Sequence, residues 1–220
     1  MDCSGLLNRE DHLAYMIGYG NGYWGPDNHL CRNETAAIFS RLLKEHLLPA
    51  TIRPGKWRDV PRASWFYEAT CILNDLGIMC GRSDVIFAPE APITRAEFAT
   101  VCARFDDREI TVLQVFDDIE GHWAEKNIRR AASLGWIKGF PDGMFHPDEY
   151  ITRAQAAAII NRMLNRTPQS VQDMCHGQLK RWEDVSEKAW YYIDVQEAAH
   201  GHTHRKTSDG HEQWIKIIQK

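Results

Sequence analysis

The chain has 220 residues, of which 44% are hydrophobic and 25% are charged, and its formal net charge is −4. This length and composition are typical of a folded globular protein with a buried core, and the negative charge disfavours a general nucleic-acid binder. No apolar run reaches the roughly 18 residues that a membrane-spanning helix needs, so we expect no membrane insertion.

The N-terminal stretch "MDCSGLLNREDHLAY" lacks a basic region followed by an apolar one, so no secretory signal peptide is visible in it. The six cysteines form no CxxC pair and follow no metal-finger spacing, so they predict neither a disulfide scaffold nor a metal site. We expect no cofactor. The cysteines are Cys3, Cys31, Cys71, Cys80, Cys102 and Cys175.

An internal repeat organises the chain. Residues 18–42 align without a gap onto 81–105, and residues 65–105 align onto 123–163. Each copy carries glycine, an aromatic residue and proline in a loop that leads into a short motif. The motifs are "LCRNE" at 30–34, "ITRAE" at 93–97 and "ITRAQ" at 151–155. Repetition of one segment along the chain predicts a modular architecture.

The copies predict three units assembled from four segments. The segment "WEDVSEKAW", which begins at Trp182, resembles "WRDVPRASW", which begins at Trp57, so the chain starts with a back half and ends with a front half. We therefore predict one domain, residues 1–200, followed by a polar tail at 201–220. Within the domain we expect a half-unit at 9–48, units at 57–105 and 116–164, and a closing half-unit at 182–200.

The predicted elements are almost all helices. In chain order they cover 33–47, 64–76, 95–105, 122–134, 153–164 and 189–199. Glycines at the ends of the Trp-led helices suit left-handed caps, and no segment shows the sustained alternation of a strand. The sequence therefore predicts an all-α fold. We expect Trp65, Trp123 and Trp190 in the core, with stacking on sugar rings as the alternative.

The helix starts carry the candidate site. Thr94 with Glu97, and Thr152 with Gln155, form capping boxes. An arginine follows the cap in each copy, at Arg32, Arg95 and Arg153. The helix dipole makes a cation at this position unfavourable by about 0.3–1 kcal/mol unless a nearby anion compensates its charge.

A helix N-terminus with a guanidinium suits a carboxylate ligand, because free N–H groups and a planar fork both donate to it. If the partner of Arg153 is such a ligand, removing the cation should leave the unliganded fold as stable or slightly more stable. The alternative is an internal acid. Asp142 and Asp84 are expected mainly to shape their loops, and the histidine-rich tail is expected to be solvated rather than metal-binding.

The pattern "GFPDGMFHP…ITRAQ", repeated three times, resembles the S-layer homology family over about residues 9–200. The resemblance implies three units in a pseudo-threefold arrangement around a central helical bundle, the first completed by the C-terminal helix. It further implies binding of pyruvylated secondary cell-wall polysaccharide in grooves between units. The residues it implicates are Arg32, Arg95, Arg153, Thr94, Thr152, Glu97, Gln155, Asp142 and Gly143.

The expected function is non-covalent anchoring at the bacterial cell surface by a monomer, without catalytic residues. No G-x-S-x-G, H-E-x-x-H or phosphate-binding glycine loop is present in the sequence. Two alternatives stay open. One is a glycosidase with a carboxylate pair, and the other is a scaffold that keeps the fold without binding the ligand.

Overall fold

The computed structural model describes residues 5–45, 48, 53–111, 115–166, 168–175 and 177–218. These residues form helices α1 (Arg32–Arg41), α2 (Tyr67–Asp75), α3 (Arg95–Ala103), α4 (Glu125–Ser133), α5 (Arg153–Leu164) and α6 (Tyr192–Ala199), and strands β1 (Gly201–Lys206) and β2 (Glu212–Ile218). Short 3₁₀ turns lie at Asp117–Ile119 and Val171–Asp173.

The chain divides into two compact units. The first comprises Met1–Asn8 with His29–Ile151, and the second comprises Arg9–Asn28 with Thr152–Lys220. In the first, α1 packs on α2 and α3 packs on α4, whereas in the second α5 packs on α6.

Capping boxes built on threonine start two of the helices. The hydroxyl of Thr94 accepts from the N–H of Glu97 (3.1 Å), and the Glu97 carboxylate accepts from the N–H of Thr94 (3.0 Å). Thr152 and Gln155 make the same two bonds, at 3.3 and 3.2 Å. Each box satisfies two backbone donors that would otherwise lack partners, so α3 and α5 begin where the sequence predicts.

Aromatic and aliphatic side chains fill the interior of each compact unit. In the first, the ring of Phe39 lies 5.1 Å from that of Phe105 and 5.7 Å from that of Phe98. In the second, the Tyr15 hydroxyl donates to the side-chain oxygen of Asn161 (2.6 Å), whose amide donates to Asp194 (2.9 Å). The last contact ties α5 to α6 through a satisfied buried polar network.

The all-α prediction is wrong. In the described part of the chain there are six short helices and much irregular chain, and β1 and β2 pair antiparallel and form a hairpin. The predicted central bundle of three units, completed by the C-terminal helix, is wrong as well, because α6 packs on α5 and continues directly into β1.

The predicted solvated tail at 201–220 contains this hairpin. Its inward positions are largely polar, with His202 and Glu212 buried beside Trp214, so hydrophobic alternation does not reveal the strands. Gly210, at φ +84°, supplies the left-handed turn between them.

The expected burial of the three tryptophans is also wrong. Trp65, Trp123 and Trp190 are each 64% exposed. They lie in the turns ahead of α2, α4 and α6, and the residue after the tryptophan faces inward instead, as with Phe66 and Ala124, both of which are buried. A shift of one position along a turn is enough to exchange core for surface.

Among the described residues, no helix has both the length and the apolar character to cross a membrane.

Deleting residues 182–220 should abolish cooperative unfolding of the second compact unit. The deletion removes α6 and the hairpin and uncovers the apolar face of α5, which favours aggregation. Thermal melts by circular dichroism, with dye binding to report exposed apolar surface, test this. Lys188→Ala, a change at an exposed position of the same segment, is the control. A truncated chain that melts at the temperature of the full chain would contradict the expectation.

Candidate functional site

Each repeated arginine enters a loop that lies far from it in sequence. We call these segments loop A (residues 17–28), loop B (80–91) and loop C (138–149). Arg153 enters loop A, Arg32 enters loop B and Arg95 enters loop C. All three arginines are 4–5% exposed, although they stand at the first position of a helix.

Arg32 is held by loop B and by one acid. Its Nε donates to the carbonyl of Phe87 (2.9 Å) and its Nη2 to that of Cys80 (2.7 Å). Its Nη1 lies 3.3 Å from Oε1 of Glu97. Burial lowers the pKa of Arg32, and the Glu97 carboxylate opposes that shift. For this arginine the internal acid is present.

Arg95 makes the equivalent contacts in loop C. Its Nε donates to the carbonyl of Phe145 (2.8 Å), and its guanidinium carbon lies 4.5 Å from the ring centre of Phe140 and 4.6 Å from that of Phe145. Aromatic faces attract a cation most strongly where water is excluded. Burial lowers the pKa of Arg95 to about 10, and the nearby carboxylate of Glu149 partly opposes the shift.

Arg153 repeats the pattern in loop A. Its Nε donates to the carbonyl of Trp24 (3.0 Å) and its Nη2 to that of Ile17 (2.8 Å). The guanidinium carbon lies 4.7 Å from the ring centre of Trp24 and 5.0 Å from that of Tyr19. Carbonyl oxygens and rings of the loop therefore provide the negative partner that we expected from a ligand.

The helix N-termini are not free anion sites either. In α3 the first N–H, of Arg95, donates to the backbone carbonyl of Glu149 (2.8 Å), and the second, of Ala96, donates to the backbone carbonyl of Pro147 (2.9 Å). The first two N–H groups of α1 and α5 donate to loop B and loop A in the same way. The expectation of unpartnered amides at these starts is wrong because the incoming loop satisfies them.

An aspartate from elsewhere in the chain holds each loop from its other side. The Asp59 carboxylate accepts from the N–H groups of Phe87 (2.9 Å) and Ala88 (2.7 Å), and Asp118 accepts from Phe145 (2.9 Å) and His146 (2.7 Å). Our sequence reasoning did not single these residues out. They recur two positions after an aromatic residue, in "WRD", "FDD" and "WED", and that spacing was the available signal.

In loop A, Asp184 takes this role and accepts from the N–H groups of Trp24 (2.8 Å) and Gly25 (2.7 Å). The second residue of each pair has a left-handed backbone, with φ of +72° at Gly25, +59° at Ala88 and +56° at His146. A residue other than glycine adopts that conformation only at an energetic cost. The two hydrogen bonds that the backbone donates to the aspartate help to hold it there.

The other predicted site residues have structural partners as well. Thr94, Thr152, Glu97 and Gln155 form the two capping boxes. Asp142 accepts from the N–H of Met144 (2.9 Å) and lies 2.8 Å from Nε2 of His146. The backbone bond, followed by the histidine contact, lowers the pKa of Asp142. Gly143, at φ +83°, completes this turn.

Exposed groups lie beside the buried contacts. Arg82 in loop B and Lys138 in loop C are exposed cations, and loop A presents Ile17, Tyr19 and Tyr23. The loops therefore have a rigid backbone, and their exposed side chains present cations and apolar faces to solvent. Chemically, the loops can bind an anionic, ring-containing ligand by charge and stacking.

The model of the S-layer homology domain matches residues 58–99 and 115–157. The chain is 33% identical, over 99% of its length, to cell surface glycoprotein 1 of Acetivibrio thermocellus, of which it covers 10%. It is 33% identical over 94% of its length to the cellulosome-anchoring protein of the same organism, of which it covers 47%. With an S-layer protein of Bacillus licheniformis it shares 27% identity over 69% of its length, covering 18% of that protein.

The resemblance to the S-layer homology family is confirmed at two of the repeats, residues 58–99 and 115–157. The chain spans less than half the length of these three relatives. Each matched S-layer homology segment contains both the loop-holding aspartate and the buried arginine, namely Asp59 with Arg95 and Asp118 with Arg153. Arg32 lies outside the matched segments, yet it makes the same type of contact with its loop.

Replacing Arg153 should destabilise the unliganded protein. Arg153→Ala leaves the carbonyls of Ile17 and Trp24 without a buried donor, and we expect the free energy of unfolding to fall by about 3 kcal/mol. Arg153→Lys should cost nearly as much, because an ammonium has no planar fork to reach both oxygens and lie along the rings. The melting temperature should fall by roughly 6–12 °C.

Arg181→Ala is the control for these variants, since Arg181 is an exposed cation of the same compact unit. If Arg153→Ala melts at the same temperature as Arg181→Ala, the contacts of Arg153 do not stabilise the fold.

Proposed function

We propose that this chain anchors the protein that carries it to the bacterial cell wall by binding pyruvylated secondary cell-wall polysaccharide. As an S-layer homology module, the chain is a cell-surface anchoring domain. Two of its relatives bear the names cellulosome-anchoring protein and S-layer protein. The recurrence of one rigid arginine–loop contact three times in the chain carries the proposal, because repeated surfaces suit a repeating polymer.

The proposal includes a division into three units, in which residues 182–200 complement the half-unit at 9–48 through loop A rather than through a central helical bundle. Two observations support this pairing. Asp184 holds loop A as Asp118 holds loop C. A Cβ added to Gly18 would lie 2.5 Å from Nε1 of Trp182, just as one added to Gly139 would lie 2.5 Å from Cε1 of Phe116.

The ligand carboxylate is assigned to exposed cations rather than to the buried arginines alone. A pyruvyl ketal presents a carboxylate on a sugar. Lys138 is an exposed cation that can bind it. Arg82 is also exposed, but its Nη2 lies 3.4 Å from Oε2 of Glu97, so it would bind the ligand in addition to that acid or in exchange for it. Arg32 and Arg95 lie beneath the same loops and add positive potential while keeping the loop backbone in place. Thr94, Glu97 and Gln155, with their capping roles, complete the proposed surface.

Exposed tryptophan adds the second component of sugar binding. Trp65, Trp123 and Trp190 each keep 64% of their surface in solvent. Leaving such large apolar faces exposed reduces the hydrophobic gain of folding, and a sugar face can cover them with favourable contact. Several modest sites on one polymer would combine through effective concentration, so individual contacts can be weak.

The described acids argue against the glycosidase alternative. Catalysis requires two carboxylates that face the same glycosidic bond. The acids that recur through the repeats, Asp59, Asp118 and Asp184, instead each accept two backbone N–H groups of a loop. Their oxygens serve loop geometry, and this use supports a non-catalytic role.

Removing the pyruvyl groups from the polysaccharide should weaken binding. Each carboxylate–cation contact is a charge-assisted bond, so we expect affinity for purified wall polysaccharide to fall at least about tenfold after depyruvylation. Isothermal titration with native and depyruvylated polymer measures this. Equal affinity for the two polymers would contradict the carboxylate assignment while leaving open cell-wall anchoring through neutral sugars.

Trp123→Ala should weaken polysaccharide binding without weakening the fold. Loss of one stacking face should reduce affinity about five- to tenfold, given roughly 1 kcal/mol for such a contact, and the melting temperature should change by no more than about 2 °C. Ile215→Ala, which truncates another large exposed apolar side chain, is the matched control and should bind normally. Normal binding by Trp123→Ala would remove this tryptophan from the site.

A further inference from the structure

The hairpin gathers a cluster of metal-ligating side chains far from the arginine loops. His202 and His204 come from β1, Glu212 comes from β2, and His12 pairs with β1 through a bridge to His202. One potential ligand atom from each of the four lies within 4.8 Å of the others. His12, His202 and Glu212 are buried and His204 is half-buried.

Three of these atoms form a tight triangle. Nδ1 of His12 lies 3.0 Å from Nε2 of His202 and 3.0 Å from Oε1 of Glu212, and the latter two atoms are 3.1 Å apart. Hydrogen bonds alone account poorly for three mutual contacts. If both rings donate to the carboxylate, their two N–H groups face each other across 3.0 Å.

The other ring nitrogen of His202 also disfavours an arrangement in which both rings donate to Glu212. Its Nδ1 lies 3.2 Å from the carbonyl of His200, an acceptor that requires Nδ1 to carry the proton. In the neutral ring Nε2 then presents a lone pair toward Glu212. A backbone carbonyl behind one ring nitrogen is the usual support for a metal on the other.

A second buried carboxylate points into the same space. Oε1 of Glu197 lies 3.4 Å from Nε2 of His202 and 3.7 Å from Nδ1 of His12, and it has no hydrogen-bond partner among the described residues. Oε2 of Glu197 accepts from Nε1 of Trp214 (2.9 Å), which fixes the side chain in this orientation. A buried oxygen that lacks a hydrogen bond is costly, and a cation bound between it and the two imidazoles would lower that cost.

We propose that His12, His202, His204 and Glu212 bind one Zn²⁺ ion. Tetrahedral zinc with nitrogen and oxygen ligands at 2.0–2.2 Å places its ligand atoms about 3.3 Å apart, close to the edges of the triangle. His204, at the half-buried rim, closes the fourth position by a modest side-chain movement. Glu197 lies directly behind the site, with Oε1 3.4 Å from Nε2 of His202.

The ligand set selects the metal. Three imidazoles with one carboxylate suit zinc, whereas Ca²⁺ and Mg²⁺ require mostly oxygen ligands. Four protein ligands leave no open position for a reactive water, so the ion is structural. It joins the segment around His12 to the C-terminal hairpin, within one compact unit, and its binding free energy adds to the stability of that unit.

Zinc titration of the untagged protein, after chelator treatment, tests the site. We expect one equivalent to bind by isothermal titration and to raise the melting temperature by about 5–10 °C at a free concentration one hundred times the dissociation constant. Co²⁺ in place of zinc should give the visible absorption of tetrahedral coordination. No heat and no thermal shift with zinc would overturn the proposal, as would an equal shift with Ca²⁺.

His204→Phe separates ligation from packing. The His204 ring stacks on that of His12 at 3.7 Å, and phenylalanine keeps a stacking face while removing both nitrogens. Zinc affinity should fall at least about 100-fold, with the metal-free melting temperature nearly unchanged. Affinity within threefold of the original would overturn the ligand assignment.

Two further variants keep the test decisive if His204→Phe folds poorly. Glu212→Gln preserves shape while weakening the ligand, so it should also lose zinc. His211→Asn changes a histidine of the same hairpin that lies outside the cluster, and it should bind zinc normally. Loss of binding in His211→Asn together with retention in Glu212→Gln would place the metal elsewhere.

Discussion

A guanidinium buried at the first position of a helix must be given acceptors, and the rest of the repeat is built around that requirement. An ionised group removed from water is costly unless hydrogen bonds replace its hydration. Loop carbonyls and aromatic rings meet this demand at Arg32, Arg95 and Arg153. In return, the helix start fixes the loop, because its first amides donate to the same segment. One local contact therefore joins elements that are distant in sequence.

The loops also depend on a carboxylate from a third part of the chain. In each loop one aspartate accepts hydrogen bonds from two consecutive backbone N–H groups, and the second of these belongs to the left-handed residue that follows the aromatic residue in sequence. These aspartates are Asp59, Asp118 and Asp184. With arginine on one side and aspartate on the other, the backbone of each loop is well determined. Rigid loops preorganise the exposed side chains above them, which reduces the entropy lost when a polymer binds.

The hairpin provides a different kind of connection. Whereas the arginine loops use hydrogen bonds to neutral carbonyls, the cluster at His12, His202 and Glu212 brings two imidazole nitrogens and a carboxylate oxygen within 3.0–3.1 Å of one another. The two features share a principle, since in both a charge in the interior organises polar groups that come from distant segments. They differ in the source of that charge, which is a side chain in the loops and an ion in the proposed hairpin site.

The sequence by itself determined the repeat, the two threonine capping boxes and the starts of α3 and α5, because these depend on residues within a few positions of each other. It also determined the family, through "ITRAE", "ITRAQ" and the glycine-rich loops. Tertiary structure alone decided what Arg153 contacts, since its partners Ile17 and Trp24 lie more than a hundred residues away. It also decided that Trp65 faces solvent and that polar residues such as His202 and Glu212 line the inside of a hairpin. Hydrophobic patterns in a sequence indicate which residues avoid water. They do not indicate which polar groups form hydrogen bonds with one another after burial.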